Sequence, residues 1–278
     1  MSLSQVLDKY QHMARDQHEK GALFEQLMQR YLKTDPLYAN ELAEVWLWSE
    51  FPFRKDFGGK DLGIDLVAKT VNNEYWAIQC KFYDVKSAIN MHDISTFLSN
   101  SGRIFQDENG NTVHFSLRLW IDTKVGWGAN ASEAIRNQQP PVRRLGWYDL
   151  VTAAVDWDKI AEGKKGHEAQ AKGKTLKEHQ VKAVDAAHDY FKKESRGKLI
   201  MACGTGKTYT ALNIVEKETN QNGFALFLVP SIALLSQTLR EWMNDTTGVI
   251  YPVCICSDAS SSKLQKAADL EDTSTVDL

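Results

Sequence analysis

The chain has 278 residues, 43% hydrophobic and 25% charged, with 6 Pro and 17 Gly. That is the composition of a globular chain of about two domains, and it excludes a disordered tail, a collagen-like chain and a small disulfide scaffold. With 33 Lys+Arg against 36 Asp+Glu the net charge is −3, which excludes a domain-wide basic footprint for nucleic acid but not a local basic patch.

The four cysteines, Cys80, Cys203, Cys254 and Cys256, form no C-x-x-C pair. Neither a disulfide framework nor a structural zinc site is expected, and reduced thiols point to a cytoplasm. The first residues lack the basic start and apolar core of a signal peptide. The longest apolar stretch, residues 224–229, is too short to cross a bilayer, so no membrane partner is expected.

In chain order, Phe24, Leu27, Met28 and Tyr31 follow helical spacing, which predicts a helix over 18–33 that stops before Pro36. Strands are expected at 45–48, 64–69 and 75–82, the last two joined by a turn through Val71, Asn72, Asn73 and Glu74. A helix over 91–98, a strand over 115–121, a helix over 132–137 and a short strand at 144–147 complete a mixed sheet with flanking helices. Residues 161–174 contain three glycines and no large apolar side chain and read as a linker. Beyond it, a helix over 176–192, a strand over 198–202, a glycine loop, a helix to about residue 217 and an apolar strand over 224–229 predict a βαβ unit and a parallel sheet.

Gly204, Thr205, Gly206, Lys207 and Thr208 lie between a strand and a helix start, where a phosphate cradle belongs. Glycines let backbone N–H groups approach an anion, and the helix N-terminus adds partial positive charge. Lys207 is expected to reach the ATP phosphates and the Thr208 hydroxyl to hold Mg²⁺. Met201 stands where the consensus has glycine. The segment 201–208 resembles motif I of superfamily 2 helicases and translocases, in which that first position varies. Residues 176–180 resemble the segment that ends in an adenine-reading glutamine, here Gln180, and 228–237 resemble motif Ia, which touches DNA phosphates. No DExH box follows within the 278 residues. The acids beyond Asp245 (Asp258, Asp269, Glu271, Asp272 and Asp277) have no strand periodicity. The chain is therefore expected to be a piece of a longer polypeptide with an incomplete ATPase.

The first domain carries Asp61 and Asp65, then Gln79 and Lys81. Positions 79 and 81 share a strand face because the strand period is two. A two-residue turn between the asparagines would set Asp65 opposite Cys80, on the wrong face; an odd-length loop or a bulge would set it opposite Gln79 or Lys81. An acid, an amide oxygen and an ammonium on one face make a credible Mg²⁺ site for phosphodiester hydrolysis. The pattern resembles the PD-(D/E)xK nucleases, and more closely their Mrr-like branch, where Gln replaces the second acid. The resemblance makes Asp65 and Gln79 metal ligands, Lys81 the catalytic lysine, Glu25 the helical acid and Asp61 a supporting acid. His92, His114 and His167 show no ligand spacing, and Trp120, Trp127, Trp147 and Trp157 read as packing residues.

Taken together, the order resembles the start of the single-chain, type ISP ATP-dependent restriction–modification enzymes. It implies an Mrr-like, restriction-endonuclease-like mixed-sheet α/β nuclease domain over 1–160, a linker over 161–174 and a partial RecA-like parallel α/β domain over 175–278. Expected partners are double-stranded DNA, ATP with Mg²⁺, and the remaining helicase, methyltransferase and target-recognition regions, with S-adenosylmethionine used only by the latter part. The implied setting is the bacterial cytoplasm and the implied act is DNA nicking coupled to translocation. Two alternatives remain: a stand-alone antiphage helicase–nuclease, and an inactive nuclease fold that grips DNA for a remodelling motor.

Overall fold

The computed structural model describes residues 1–58, 63–84, 89–171, 173–202, 204–220, 222–248, 250–253 and 255. The chain divides into two compact units, Met1–Ala171 and Lys172–Leu278. Among the described residues, no helix is long and apolar enough to cross a membrane.

The first unit opens with α1 (Leu3–Met13). Its start is fixed by reciprocal capping: Ser2 Oγ accepts from Gln5 N, and the Gln5 side chain accepts from Ser2 N at 2.8 Å. Asp16 caps α2 (Gln17–Leu32) by accepting from Glu19 N at 2.8 Å. After the short α3 (Pro36–Ala39) come β1 (Leu42–Leu47), β2 (Leu66–Thr70), β3 (Tyr75–Lys81) and α4 (Met91–Asn100). Then follow β4 (Ile104–Gln106), β5 (Thr112–Asp122), α5 (Ala129–Ala134), β6 (Val142–Leu145), α6 (Trp147–Val151) and α7 (Trp157–Ala161). Strands β1, β2 and β3 form an antiparallel meander; β5 joins β3 in parallel and pairs with antiparallel β4 and parallel β6 along different stretches of its length.

Strand alternation sorts the sheet into two cores. Trp76, Ile78 and Cys80 of β3 pack with Leu66, Leu119 and Ile121 and with Phe24, Leu27 and Met28 of α2. Tyr75 and Ala77 face the other way, with Trp120 and with Ile94 and Phe97 of α4. Gln79 and Lys81 continue this second face. β3 is thus covered on both sides, as expected of a strand with a parallel neighbour.

The segment 161–171, expected above as the first part of a linker, instead packs on the first unit. Ala169 is fully buried, Gln170 forms a bridge with Val155, and Gly166 N donates to Thr34 Oγ1 at 2.9 Å. Most of the stretch is exposed and Ala169 alone is buried, so it is held to the first unit at these points rather than packed along its length.

The second unit contains α8 (Glu178–Phe191), α9 (Lys207–Thr219) and α10 (Ile232–Asp245). Among the described residues, its buried apolar side chains are Val184, Leu212, Trp242 and Met243, and the Phe227 and Trp242 rings lie 4.8 Å apart. The expected strands at 198–202 and 224–229 carry no ladder among the described residues. A strand exists by hydrogen bonding to its neighbour, and here Ile200, Phe224, Leu226 and Leu228 stand open to solvent.

One buried ion pair organises the end of the β3–β5 pairing. Asp122, fully buried, accepts from Arg144 Nε at 2.7 Å, Arg144 Nη2 at 2.9 Å, Trp127 Nε1 at 2.9 Å and Lys124 N at 2.7 Å. Asp122→Ala leaves the guanidinium without its counter-charge and should cost about 3–5 kcal/mol. Urea unfolding followed by tryptophan fluorescence reports on this unit, since every tryptophan except Trp242 lies in it; an unchanged midpoint contradicts the assignment.

Candidate active site

The β2–β3 turn sets the geometry. Asn73 N donates to Thr70 O at 3.0 Å, Thr70 N donates to Glu74 O at 2.8 Å, and of the two asparagines only Asn73 takes a positive φ, at 64°. That is a three-residue loop closed by a left-handed residue, a common hairpin form. Its odd length pairs Leu66 with Ile78 and Val67 with Ala77, so the next step of the register brings Asp65 beside Gln79.

Backbone bonds pin Asp65 on both sides. Its N–H donates to Ile78 O at 2.9 Å, and its carbonyl accepts from Trp48 N at 2.7 Å. The carboxylate oxygen Oδ2 accepts from Cys80 N at 2.7 Å and from the Gln79 side-chain amide. Gln79 is 2% exposed, and its Oε1 is buried with no hydrogen-bond partner among the described residues. Gly63, at φ 70°, passes beside this oxygen; a Cβ there would sit 3.3 Å from Oε1 and 3.4 Å from the Thr96 methyl. A glycine at this point keeps the approach to the amide open.

Lys81, two residues on and on the same face, holds its Nζ 3.2 Å from Asp93 Oδ2 at the start of α4. Glu25, half-buried on α2, lies on the Cys80 side. Its placement shows in the Cys80 thiol, which burial pushes well above its usual pKa, with the Asp65 and Glu25 carboxylates adding to the rise and Lys81 opposing it. α2 is tied to the exit of β3 by Lys20, 3% exposed, whose Nζ meets Asp84 Oδ1 at 2.5 Å and stands 4.3 Å over the Phe82 ring. The sequence reading missed Asp93, which looks like an ordinary acid in a helix first turn. The nearby Tyr83 phenol is pushed up by burial and by the charges of Asp93 and Asp122. Asp61 lies outside the described residues.

Among the described residues no group of three or more His, Cys, Asp or Glu is placed to hold a metal. The oxygen set here is instead one carboxylate and one amide. That suits Mg²⁺, which prefers hard oxygens, keeps several waters and is commonly bound through only one or two carboxylates. The unpartnered Gln79 oxygen is the feature that fits such an ion.

In the second unit, Gly204 and Gly206 both take positive φ, at 76° and 79°, and α9 begins at Lys207. Thr205 Oγ1 donates to Ala202 O at 2.7 Å and Lys207 Nζ donates to the same carbonyl at 3.2 Å. Thr208, half-buried, follows on α9, and its carbonyl accepts from Trp242 Nε1 at 3.0 Å. Gln180 is buried against the loop: its Nε2 donates to Thr205 O at 3.1 Å and its Oε1 accepts from Lys177 N at 2.9 Å. Here Gln180 braces the loop, and a Cβ on Gly206 would collide with it.

Residues 33–167 match the restriction endonuclease family of Mrr catalytic domains, and residues 173–269 match the type III restriction enzyme res-subunit family. Glu25 lies upstream of the first match. A solved structure of the ATP-dependent Type ISP restriction-modification enzyme LlaBIII bound to DNA is 30% identical over 96% of this chain, with a TM-score of 0.69. The chain spans 17% of that protein. A nuclease-deletion mutant of the Type ISP enzyme LlaGI, in complex with a DNA substrate mimic, is 44% identical over 32% of this chain and 9% of its own, with a TM-score of 0.29. No curated protein sequence matches.

The raised Cys80 pKa has a measurable sign. The folded thiol stays protonated above its unfolded pKa of about 8.5, so alkylation of Cys80 at pH 8.5 should be far slower in native than in urea-unfolded protein. Its contribution to stability is fully present below that unfolded pKa and is lost as the pH rises through the folded one. Equal native and unfolded labelling rates of the Cys80 peptide, followed by mass spectrometry, would contradict the burial.

Proposed function

We propose that this chain, a restriction-endonuclease domain followed by the start of a helicase domain, nicks double-stranded DNA with Mg²⁺ as part of an ATP-driven restriction enzyme. The observation that carries the reading is the contact between the Asp65 carboxylate and the Gln79 amide, with Lys81 on the same strand face. The two domain matches in this order and the likeness to the DNA-bound LlaBIII enzyme support it.

Asp65 and Gln79 would hold the ion, with Glu25 a carboxylate on the neighbouring helix. When bound, Mg²⁺ polarises a phosphate and lowers the pKa of a water. The Gln79 amide donates to Asp65, which fixes that carboxylate and leaves the amide oxygen for the metal side. Lys81 places an ammonium on that face, where it offsets charge developing on the phosphate. The loop from Gly204 to Thr208 would take the ATP phosphates, Lys207 reaching them and Thr208 contributing a hydroxyl to Mg²⁺. For Lys207 this requires release from the Ala202 carbonyl.

In the full-length protein, Asp65→Ala and Lys81→Ala should each abolish nicking of supercoiled DNA while folding and ATP turnover persist. Gln79→Glu restores the commoner carboxylate and should retain cleavage, whereas Gln79→Ala should lower it. Wild-type nicking by the Asp65 or Lys81 variant removes the site assignment and favours an inactive, DNA-gripping nuclease fold.

The 278 residues alone should bind ATP weakly or not at all and turn it over negligibly. Hydrolysis also needs an acid on a DExH strand and an arginine from a facing domain, the latter contributing on the order of 10³-fold or more. Lys207→Ala should remove whatever binding exists. Robust DNA-stimulated hydrolysis by this chain would show that its catalytic acid lies within these residues.

A further inference from the structure

We propose that Asp93 is a positioning residue for the nuclease: it holds the Lys81 ammonium where a scissile phosphate would meet it. The inference rests on the nuclease reading above and extends it to a residue that neither the strand pattern nor the hairpin would single out.

Lys81 ends β3 and is only partly covered, with 29% of its side chain exposed. A lysine stem has four rotatable bonds and a compact ammonium, so at a strand end it samples many positions unless something holds its head. Asp93 supplies that hold at 3.2 Å. The aspartate is itself fixed. Its Oδ1 accepts from Asn90 Nδ2 at 3.2 Å, and Asn90 Oδ1 caps α4 by accepting from His92 N at 3.0 Å. One carboxylate oxygen is therefore anchored to the helix cap and the other faces the lysine.

The rest of α4 aligns this pair with the candidate metal ligands. Thr96 lies one turn after Asp93, on the same side of the helix. The Thr96 methyl and the Gln79 oxygen both border the space beside Gly63. Asp93 and Thr96 thus run along the face of β3 that bears Lys81 and Gln79, while Ile94 and Phe97 anchor the helix in the core. An ammonium has three donors. One serves Asp93 and the others stay available to phosphate oxygens, so the ion pair orients Lys81 without using it up.

The test compares wild type, D93N, D93E and K81A in the full-length protein. It measures single-turnover nicking at saturating DNA, DNA affinity, ATP turnover and thermal midpoint. Freeing the lysine head should slow nicking in D93N by about tenfold, with DNA affinity, ATP turnover and midpoint unchanged. D93E keeps the charge and should recover most of the rate. Full-rate or faster nicking by D93N, while K81A is inactive, overturns this proposal and leaves the nuclease reading standing. Equal losses in D93N and D93E with a lowered midpoint also overturn it, because they assign Asp93 to stability alone. Nicking by K81A at the wild-type rate removes the nuclease reading and this proposal together.

Discussion

Everything proposed for the first unit depends on the length of one turn. A β-strand alternates its side chains, so a single residue more or less between β2 and β3 would move Asp65 from the Gln79 position to the Cys80 position, on the opposite face. The three-residue loop, with Asn73 alone in the left-handed region and Thr70 bonded to Glu74, fixes the register that puts Asp65 beside Gln79. Asparagine tolerates that backbone better than most side chains. The local chemistry of the turn is in this sense a condition for the chemistry at the other end of the hairpin.

Packing then holds the register in place. β3 is buried on both faces, with α2 against Trp76, Ile78 and Cys80 and α4 on the side of Ala77, Gln79 and Lys81. The parallel partner β5 sets Asp122 opposite Lys81, but Asp122 is committed to Arg144 and Trp127. It is therefore not a spare acid for a metal or for the lysine. That division leaves Asp93, on α4, as the carboxylate that Lys81 meets.

Much of this was legible in the sequence because it rests on period and spacing. The apolar stripe of α2, the β2–β3 hairpin and the Gln79-x-Lys81 pair on one face all follow from counting residues. The turn length did not, because Asn72 and Asn73 are each suited to a positive φ and only the closed loop chooses between them. Asp93 was illegible for another reason: its partner is fixed by how α4 lies on the sheet, which no local pattern encodes. By contrast, the Ser2 and Gln5 capping pair of α1 is a local signal, set by a spacing of three residues. The ties of residues 161–171 to the first unit gave no periodic signal, because they rest on one buried small residue, Ala169, and on single hydrogen bonds. In the second unit the glycine positions of the loop before α9 were readable. Its apolar runs suggested strands, but a run can show only that a segment would suit a strand, not that a neighbour pairs with it.

The most direct test of the account is where a divalent ion sits on the first unit. Titrating Mn²⁺ as a paramagnetic stand-in for Mg²⁺ into ¹⁵N-labelled protein should broaden the backbone amides of Gly63, Asp65, Gln79, Cys80 and Lys81 before those of residues remote from this end of the hairpin, since Cys80 N lies 2.7 Å from Asp65 Oδ2 and Gly63 passes beside Gln79 Oε1. Asp65→Ala should abolish that broadening. Selective broadening elsewhere on the unit, or the same pattern surviving in Asp65→Ala, would contradict the claim that the odd-length hairpin assembles a metal site from Asp65 and Gln79.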